Sequence, residues 1–489
     1  MTATPTKNVL WTAADAAAAA NGRAQGADWA ATGISINTRT LNPGDLFVAL
    51  KGPNFDGHAF VEVALQRGAA ACLVSQVPDG IAADAPLLVV DDTLAALEDL
   101  ARVARLNTTA KVIAVTGSVG KTSTKEFLRT ALGALGPTFA TEGNLNNHLG
   151  LPLSLASLPA DVRFGVFELG MNHAGEIGPL SRMARPDIAI ITTVEAVHLE
   201  FFASIEGIAD AKAEIFEGMS RQGTAILNRD NPQYARLLAA ARTQGVGHVL
   251  SFGATAGADA RLIDLDLGPT GSDVTAEIQG QVIRYTLAVP GRHQALNSLA
   301  VLLAVSAAGG DLATAARALA TLAPVKGRGV RQTVPLPSHP HGGGSLTLID
   351  ESYNASPVSV AAAADVLGHT QPGPGGRRVA VLGDMLELGA DSPKLHAGLA
   401  DALVAADVHL VFTCGPHMRH LFDRLPHERR GAHTDTSAEL APLVGAAVRA
   451  NDIVMVKGSA GSRMALVVDA LKALDHPPPS SSSPAVSGS

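Results

Sequence analysis

Lys111-Val-Ile-Ala-Val-Thr-Gly-Ser-Val-Gly-Lys-Thr-Ser123 is the stretch on which the reading of this chain turns. Val112 to Val115 is a short apolar run of the buried-strand type. It passes directly into Gly117-Ser-Val-Gly-Lys-Thr122, and Phe127, Leu128, Ala131, Leu132 and Leu135 then follow at helical spacing on one face. In a strand, glycine loop and helix start of this order, backbone amides can face phosphate oxygens while the helix N-terminus adds positive potential. Gly117, Ser118, Val119, Gly120, Lys121, Thr122 and Ser123 are therefore the expected nucleotide-phosphate set. Lys121 is expected to hold the β- and γ-phosphates, and Thr122 to place its hydroxyl on a magnesium ion. Val115 occupies the position of the first glycine in the general G-x-x-x-x-G-K-[ST] pattern. A helix-capping turn with an exposed lysine is the bland alternative. The strand before the loop and the amphipathic helix after it favour nucleotide binding.

Working outward, the 489 residues are 47% hydrophobic and 17% charged, enough to bury several cores and to suggest about three domains. The net charge of -8 comes with no concentrated basic run, so a nucleic-acid footprint is not expected and small anionic ligands fit better. Cys72 and Cys414 are far apart and lack metal-ligand spacing, which argues against a disulfide framework or a zinc cluster and for a reducing cytoplasm. The start has no basic stretch followed by an apolar core, and Ala16 to Ala20 is too short and weakly apolar for a membrane span. No stable membrane insertion is expected.

Val- and Ile-rich runs alternate with Ala- and Leu-rich helical stretches, the pattern of an α/β protein with mostly parallel sheets. Strands are expected at 45–50, 69–74 and 87–90 in a first unit. A second unit has them at 112–115, 164–167, 187–192 and 224–227, and a third at 346–350, 378–382, 409–413 and 453–456. Residues 261–287 alternate apolar and polar around Gln279-Gly-Gln281, which predicts an antiparallel hairpin added to the central sheet. The expected domains are 1–108, 109–323 and 324–475, with a Pro- and Ser-rich disordered tail at 476–489. Three of the strands in the last domain run into Gly383, Gly415 and Gly458, where loops can meet a ligand at the carboxyl edge of a sheet.

Several further segments stand out: Asn37-Thr-Arg39, Asp45-Leu-Phe-Val-Ala-Leu-Lys-Gly52, Phe55-Asp-Gly-His58, Gly143-Asn-Leu-Asn-Asn147, Gly150-Leu-Pro152 and Glu168-Leu-Gly-Met-Asn-His173. Ala211-Lys-Ala-Glu-Ile-Phe216, Gly291-Arg-His-Gln-Ala-Leu-Asn297, Lys326-Gly-Arg328 and Asp350-Glu-Ser-Tyr-Asn-Ala-Ser-Pro357 follow, then Leu382-Gly-Asp-Met-Leu-Glu-Leu-Gly389 and Val456-Lys-Gly-Ser459 with Arg463. Together with the phosphate loop they resemble the Mur ligase family, from about Ile34 to about Leu471. Asn37 stands where the family usually has aspartate, and Gln294 where it commonly has asparagine.

The resemblance implies a small N-terminal α/β domain for a uridine nucleotide, a central P-loop domain and a C-terminal Rossmann-like domain. It is nearest to the branch that joins D-alanyl-D-alanine to UDP-N-acetylmuramoyl-tripeptide, with ATP and Mg2+ as cofactors, in the cytoplasm and as a monomer. It places Thr38, Arg39, Lys51, Asn144, Asn146, Asn147, Asn172, Tyr353, Asn354, Lys457 and Arg463 around the substrates. It places His293, Asn297, Arg328 and Asp350 around ATP, and gives Thr122, Glu168, His198 and Lys212 to magnesium. Lys121, His198 and Lys212 are the implied catalytic residues. Lys212 is implied to be carbamylated, which is plausible because a lysine near two metal ions gains from exchanging its charge for an anionic oxygen. On local chemistry alone His198 reads as a satisfied structural histidine, Lys212 as a surface helix lysine, and 143–147 as an asparagine-rich turn.

A carboxylate needs a leaving group before an amine can displace it, and transfer of a γ-phosphate to its oxygen provides one. No nucleophilic side chain is then required. The alternatives are another ligase of the same superfamily, either the enzyme adding the third peptide residue or a folylpolyglutamate synthase, and a P-loop switch that makes no bonds. The Asp-Asn-Pro-Arg motif of the third-residue enzyme is missing from the chain.

Overall fold

A computed structural model describes residues 9–197, 199–337, 340–341 and 343–475. His198 and the expected tail at 476–489 lie outside the described residues.

The central sheet has nine strands. In spatial order they are Gln281–Leu287, Ser272–Ile278, Ala260–Leu267, His248–Gly253, Thr224–Asn228, Ile188–Ile191, Lys111–Thr116, Phe164–Glu168 and Thr138–Ala140. From Ala260–Leu267 to Thr138–Ala140 every neighbouring pair is parallel. The inner strands Lys111–Thr116, Phe164–Glu168, Ile188–Ile191 and Thr224–Asn228 are apolar runs because both faces are covered. Val112, Ala114, Ala189 and Ile191 face one core, while Ile113, Val115, Ile188 and Ile190 face the other. The helix Arg292–Ala307 buries Leu299 through Val305 without a break in the second core, as a helix apolar all round must.

At the far edge of this sheet the expected hairpin is part of a three-stranded antiparallel meander. Its second turn is Gln279-Gly280, with φ of 48° and 86°, the left-handed pair that matches the twist of flanking strands. The additional strand, Ala260–Leu267, was hidden in the alternation because its register shifts between Leu262 and Asp264, leaving Ile263 44% exposed.

The N-terminal unit carries a five-stranded sheet in the order Arg23–Gln25, Leu87–Val89, Ala71–Val74, Asp45–Val48, Gly33–Ser35, parallel except for the first pair. Its helix Thr93–Asn107 packs on the central helix Gly150–Ala156, and the Trp11 indole donates to the Ala156 carbonyl at 2.9 Å. One apolar core runs through both units.

The third unit has six strands in the order Val330–Pro335, Ser345–Glu351, Ile453–Lys457, Arg378–Gly383, Leu410–Cys414, Arg430–Thr434. The first pair is antiparallel and the rest are parallel. Ser345–Glu351, Ile453–Lys457 and Arg378–Gly383 are adjacent, so the loops after them emerge together. The mixed, mostly parallel α/β class in three units agrees with the sequence. Among the described residues no helix is long and apolar enough to cross a membrane.

Candidate active site

The phosphate loop leaves the carboxyl end of Lys111–Thr116 and enters the helix Lys121–Gly133. Its two glycines are required by different neighbours. Gly117 has φ of 148°, and a Cβ there would collide with the Thr192 hydroxyl. Gly120 has φ of 88°, and a Cβ would stand 2.7 Å from Asn297 Nδ2. Thr192, at the end of the adjacent strand, donates to the Val119 carbonyl at 2.6 Å, and Ser118 N donates to Thr193 O at 2.9 Å. The neighbouring strand thus moulds the loop.

Lys121 Nζ folds back onto Gly117 O at 2.7 Å. Burial pushes its ammonium below the usual lysine range, Glu168 opposes that, and the nearby Arg328 charge adds to it. The Thr122 hydroxyl donates to Glu168 Oε2 at 2.9 Å, and Asn146 Nδ2 donates to Glu168 Oε1 at 2.8 Å. Glu168 is 2% exposed, so these contacts are screened little by solvent. A buried carboxylate beside a loop hydroxyl is a hard-oxygen donor set. It suits a magnesium ion that keeps waters and takes its other ligands from phosphates. Among the described residues no three His, Cys, Asp or Glu converge as a cage.

Lys212 lies near the end of the helix Ile205–Ala213, is 2% exposed, and makes no ion pair with a carboxylate among the described residues. Burial pushes its amine well below the usual lysine range, and the charge of Lys121 pushes the same way. The surface-lysine reading is therefore excluded by its burial. Addition of CO2 requires an unprotonated amine, and a lowered pKa favours that form.

From the third unit and its connection, the Arg328 guanidinium lies over the Tyr353 ring, 4.1 Å from the centroid. Lys457, 4% exposed, donates to Glu351 Oε2 and to Asn354 O, each at 3.1 Å. His293, at the start of the helix Arg292–Ala307, feels both groups. Burial pushes its imidazole down, Glu351 opposes, Lys457 adds, and Asp365 opposes. Asp350 accepts from the Ser352 amide and hydroxyl, at 3.1 and 2.6 Å, turning the chain toward Tyr353. Ser459, beside Lys457, accepts from Leu386 N at 3.0 Å and donates to Ala355 O at 3.3 Å, so three sequence motifs meet here.

The other expected residues are more scattered. Asn147 Oδ1 accepts from Gly150 N, at the start of the helix Gly150–Ala156, at 2.9 Å, and Asn144 O accepts from Asn146 N at 2.8 Å. Asn172 is exposed, its amide held by Glu176 at 2.7 Å. Asn297, expected around ATP, stands over Gly120 of the phosphate loop. Ser123 follows in the first turn of the loop helix. Arg463 is exposed with φ of 53°. Thr38, Arg39 and Lys51 lie in the N-terminal unit, where Thr38 O accepts from Arg67 at 2.8 Å and Arg39 and Lys51 are exposed. Among the described residues these three share no hydrogen bond with the phosphate loop. Thr192, Thr193 and Glu351 were not anticipated. The position of the two threonines at the carboxyl end of an apolar run was the available signal.

Three family models match, the "Mur ligase family, catalytic domain" at residues 30–105, the "Mur ligase middle domain" at 115–305 and the "Mur ligase, glutamate ligase domain" at 340–460. The chain belongs to the Mur ligase family. Within it, the similar relatives include the UDP-N-acetylmuramoyl-tripeptide--D-alanyl-D-alanine ligases of Rickettsia prowazekii and Escherichia coli K12. The first is 35% identical over 89% of this chain and 94% of the relative, the second 36% identical over 92% and 96%. A crystal structure of MurF from Acinetobacter baumannii superposes with a TM-score of 0.80 at 31% identity, covering 94% of this chain and 99% of that one. MurF from Thermotoga maritima in complex with ADP gives 0.73 at 28% identity, covering 90% and 97%. A Mycobacterium tuberculosis folylpolyglutamate synthase, at 19% identity and a TM-score of 0.58, covering 77% of this chain and 93% of that one, shares the fold alone.

Proposed function

We infer that this chain is an ATP-dependent carbon–nitrogen ligase that adds D-alanyl-D-alanine to UDP-N-acetylmuramoyl-tripeptide, giving the UDP-muramoyl-pentapeptide precursor of peptidoglycan. The observation that carries this reading is the Thr122–Glu168–Asn146 constellation, which joins a phosphate loop to an asparagine loop in a chain similar along most of its length to ligases of that one activity.

Lys121, Thr122 and the loop amides bind the ATP phosphates in this reading, with Asn297 against the loop and His293, Arg328 and Asp350 toward the nucleoside. Thr122, Glu168, His198 and carbamylated Lys212 are the proposed holders of magnesium, which when bound neutralises charge on the transferring phosphoryl group. Lys121 retracts from Gly117 O to meet the β- and γ-phosphates. Transfer of the γ-phosphate to the tripeptide carboxylate gives an acyl phosphate, and the dipeptide amine then displaces phosphate. Arg328, Tyr353, Asn354 and Lys457 close the third unit over the reacting atoms and exclude water, which would otherwise hydrolyse the acyl phosphate. Thr38, Arg39 and Lys51 are proposed for the uridine nucleotide, and Asn144, Asn147, Asn172 and Arg463 for the peptide portions of the substrates. We place the protein in the cytoplasm, acting as a monomer.

The test is incubation with ATP, Mg2+, UDP-N-acetylmuramoyl-tripeptide and D-alanyl-D-alanine, followed by mass analysis. The pentapeptide product together with ADP is expected. Absence of product from folded protein would sink the assignment.

A further inference from the structure

Lys125 lies one turn into the phosphate-loop helix and is 1% exposed. Lysine is almost never buried so fully unless it is paired. Its ammonium donates to Thr141 O at 2.7 Å and to Gly143 O at 3.2 Å, and lies 3.1 Å from Glu126 Oε1. An ammonium has three protons, and here each has an acceptor. Burial pushes the Glu126 carboxyl up, but hydrogen bonds and charge from Arg129 and Lys125 hold it below the usual range, so the cation is matched by an anion.

The two carbonyls belong to the chain as it leaves the short strand Thr138–Ala140 and enters the asparagine loop. Thr141 is pinned to the sheet through Val166 O at 2.9 Å. Beyond it, Asn146 donates to Glu168, and its carbonyl accepts from Gly170 N at 2.8 Å. Glu168 in turn accepts from Thr122, three residues before Lys125 on the same helix face. Thr122, Glu168, Asn146, the loop and Lys125 therefore form a closed ring of contacts that begins and ends on one helix. A purely structural core position would be filled at lower cost by an apolar side chain, which loses no hydration of charge.

We propose that Lys125 is a positioning residue that clips the Gly143–Asn147 loop to the phosphate-loop helix, so that the nucleotide-peptide substrate and the ATP phosphates are held in one rigid frame. The proposal rests on the reading of that loop as substrate-contacting. The experiment therefore has two readouts, one of which does not depend on substrate identity.

Hydrogen exchange by mass spectrometry on the full-length protein reads the clip. In Lys125→Met the amides of 143–147 are expected to exchange about tenfold faster, while those of 127–133 stay unchanged. Steady-state kinetics reads its use. The KM for UDP-N-acetylmuramoyl-tripeptide is expected to rise about tenfold while the KM for ATP stays within about twofold. Lys125→Arg, which keeps the charge and the donors, restores both. Lys125→Gln, able to reach one carbonyl, gives smaller shifts of the same sign and serves if Lys125→Met does not accumulate as folded protein. Unchanged exchange at 143–147 overturns the clip. Faster exchange with an unchanged KM for the nucleotide-peptide overturns the proposal through the substrate reading. An equal rise in both KM values reduces Lys125 to a general support of the helix and overturns it as well.

Discussion

The guanidinium of Arg328 lies over the ring of Tyr353, 4.1 Å from charge centre to centroid, where the connection from the central unit enters the third. The contact depends on Gly327, whose φ is 73° and whose Cβ would stand 3.0 Å from Tyr353 Cβ. It leaves the arginine charge close enough to Lys121 to depress its ammonium. A cation–π pair restrains a guanidinium, so in the proposed reading Arg328 is already held on the side of the site from which ATP would be met.

Tyr353 is 40% exposed, so loss of that contact is expected to weaken transition-state binding by about 1 kcal/mol, the range for a solvent-exposed cation–π pair, or about fivefold in kcat/KM. Steady-state kinetics on Arg328→Ala and Tyr353→Leu checks this. Arg328→Lys is expected to recover little, because an ammonium keeps the charge without the planar stack.

Glu168 holds Thr122 and Asn146 with its two oxygens. Glu168→Gln keeps the shape but removes the anion, and its amide nitrogen can no longer accept from one of the two donors. The magnesium concentration for half-maximal activity is expected to rise about tenfold or more, as for other losses at metal-site contacts. Titration of activity with Mg2+ checks this, and an unchanged midpoint would remove Glu168 from the metal.

Lys212 is buried, and both burial and Lys121 depress its amine. Replacement by Ala is expected to lower kcat about 100-fold or more, in the range for removing one preorganised electrostatic group. Formate or acetate, entering the space as a carboxylate, is expected to restore part of the rate if a carbamate is the working group. Failure of every short carboxylate to rescue folded Lys212→Ala would leave carbamylation without support.

His396 ties pH to stability. Its Nε2 accepts from Met385 N at 3.0 Å, which leaves the Nδ1 proton to be donated to Ser392 O at 2.7 Å. The ring is thus neutral, and burial holds its pKa below the ordinary 6.5. Between that lowered pKa and 6.5 the unfolded chain binds more protons than the folded one, so stability rises with pH across the window and falls on acidification. Urea denaturation at a series of pH values from 7 downward is expected to show this loss. In His396→Gln it is expected to be shallower, and the Gly383 to Leu386 turn is expected to loosen first in hydrogen exchange.

The strands that define the parallel sheets were legible because each is an unbroken apolar run buried on two sides, as at 112–115, 188–191 and 453–456. Short edge strands such as Thr138–Ala140 and Gly33–Ser35 carry too few apolar residues to show a period. In the meander a shifted register broke the alternation that would have exposed a third strand. The phosphate loop could be read from its glycines, since their positive φ is a backbone demand that only their type meets easily. Lys125 could not. A lysine in a helix reads as solvated surface, and nothing local tells that two loop carbonyls converge on it from sixteen and eighteen residues away. The pairing of Asn146 with Glu168 likewise joins positions brought together only by the sheet.

Val115 and Glu168 are directly opposed in register on neighbouring strands. Side chains alternate between the two sides of a sheet, so deleting or inserting one residue within 164–168 would carry the carboxylate through to the other side while leaving the glycine loop untouched. Such a variant would keep every hallmark by which the loop is found and still be unable to present an acid to the phosphates. Grafting this loop into another sheet should therefore transfer function only when the adjoining strand travels with it, in phase.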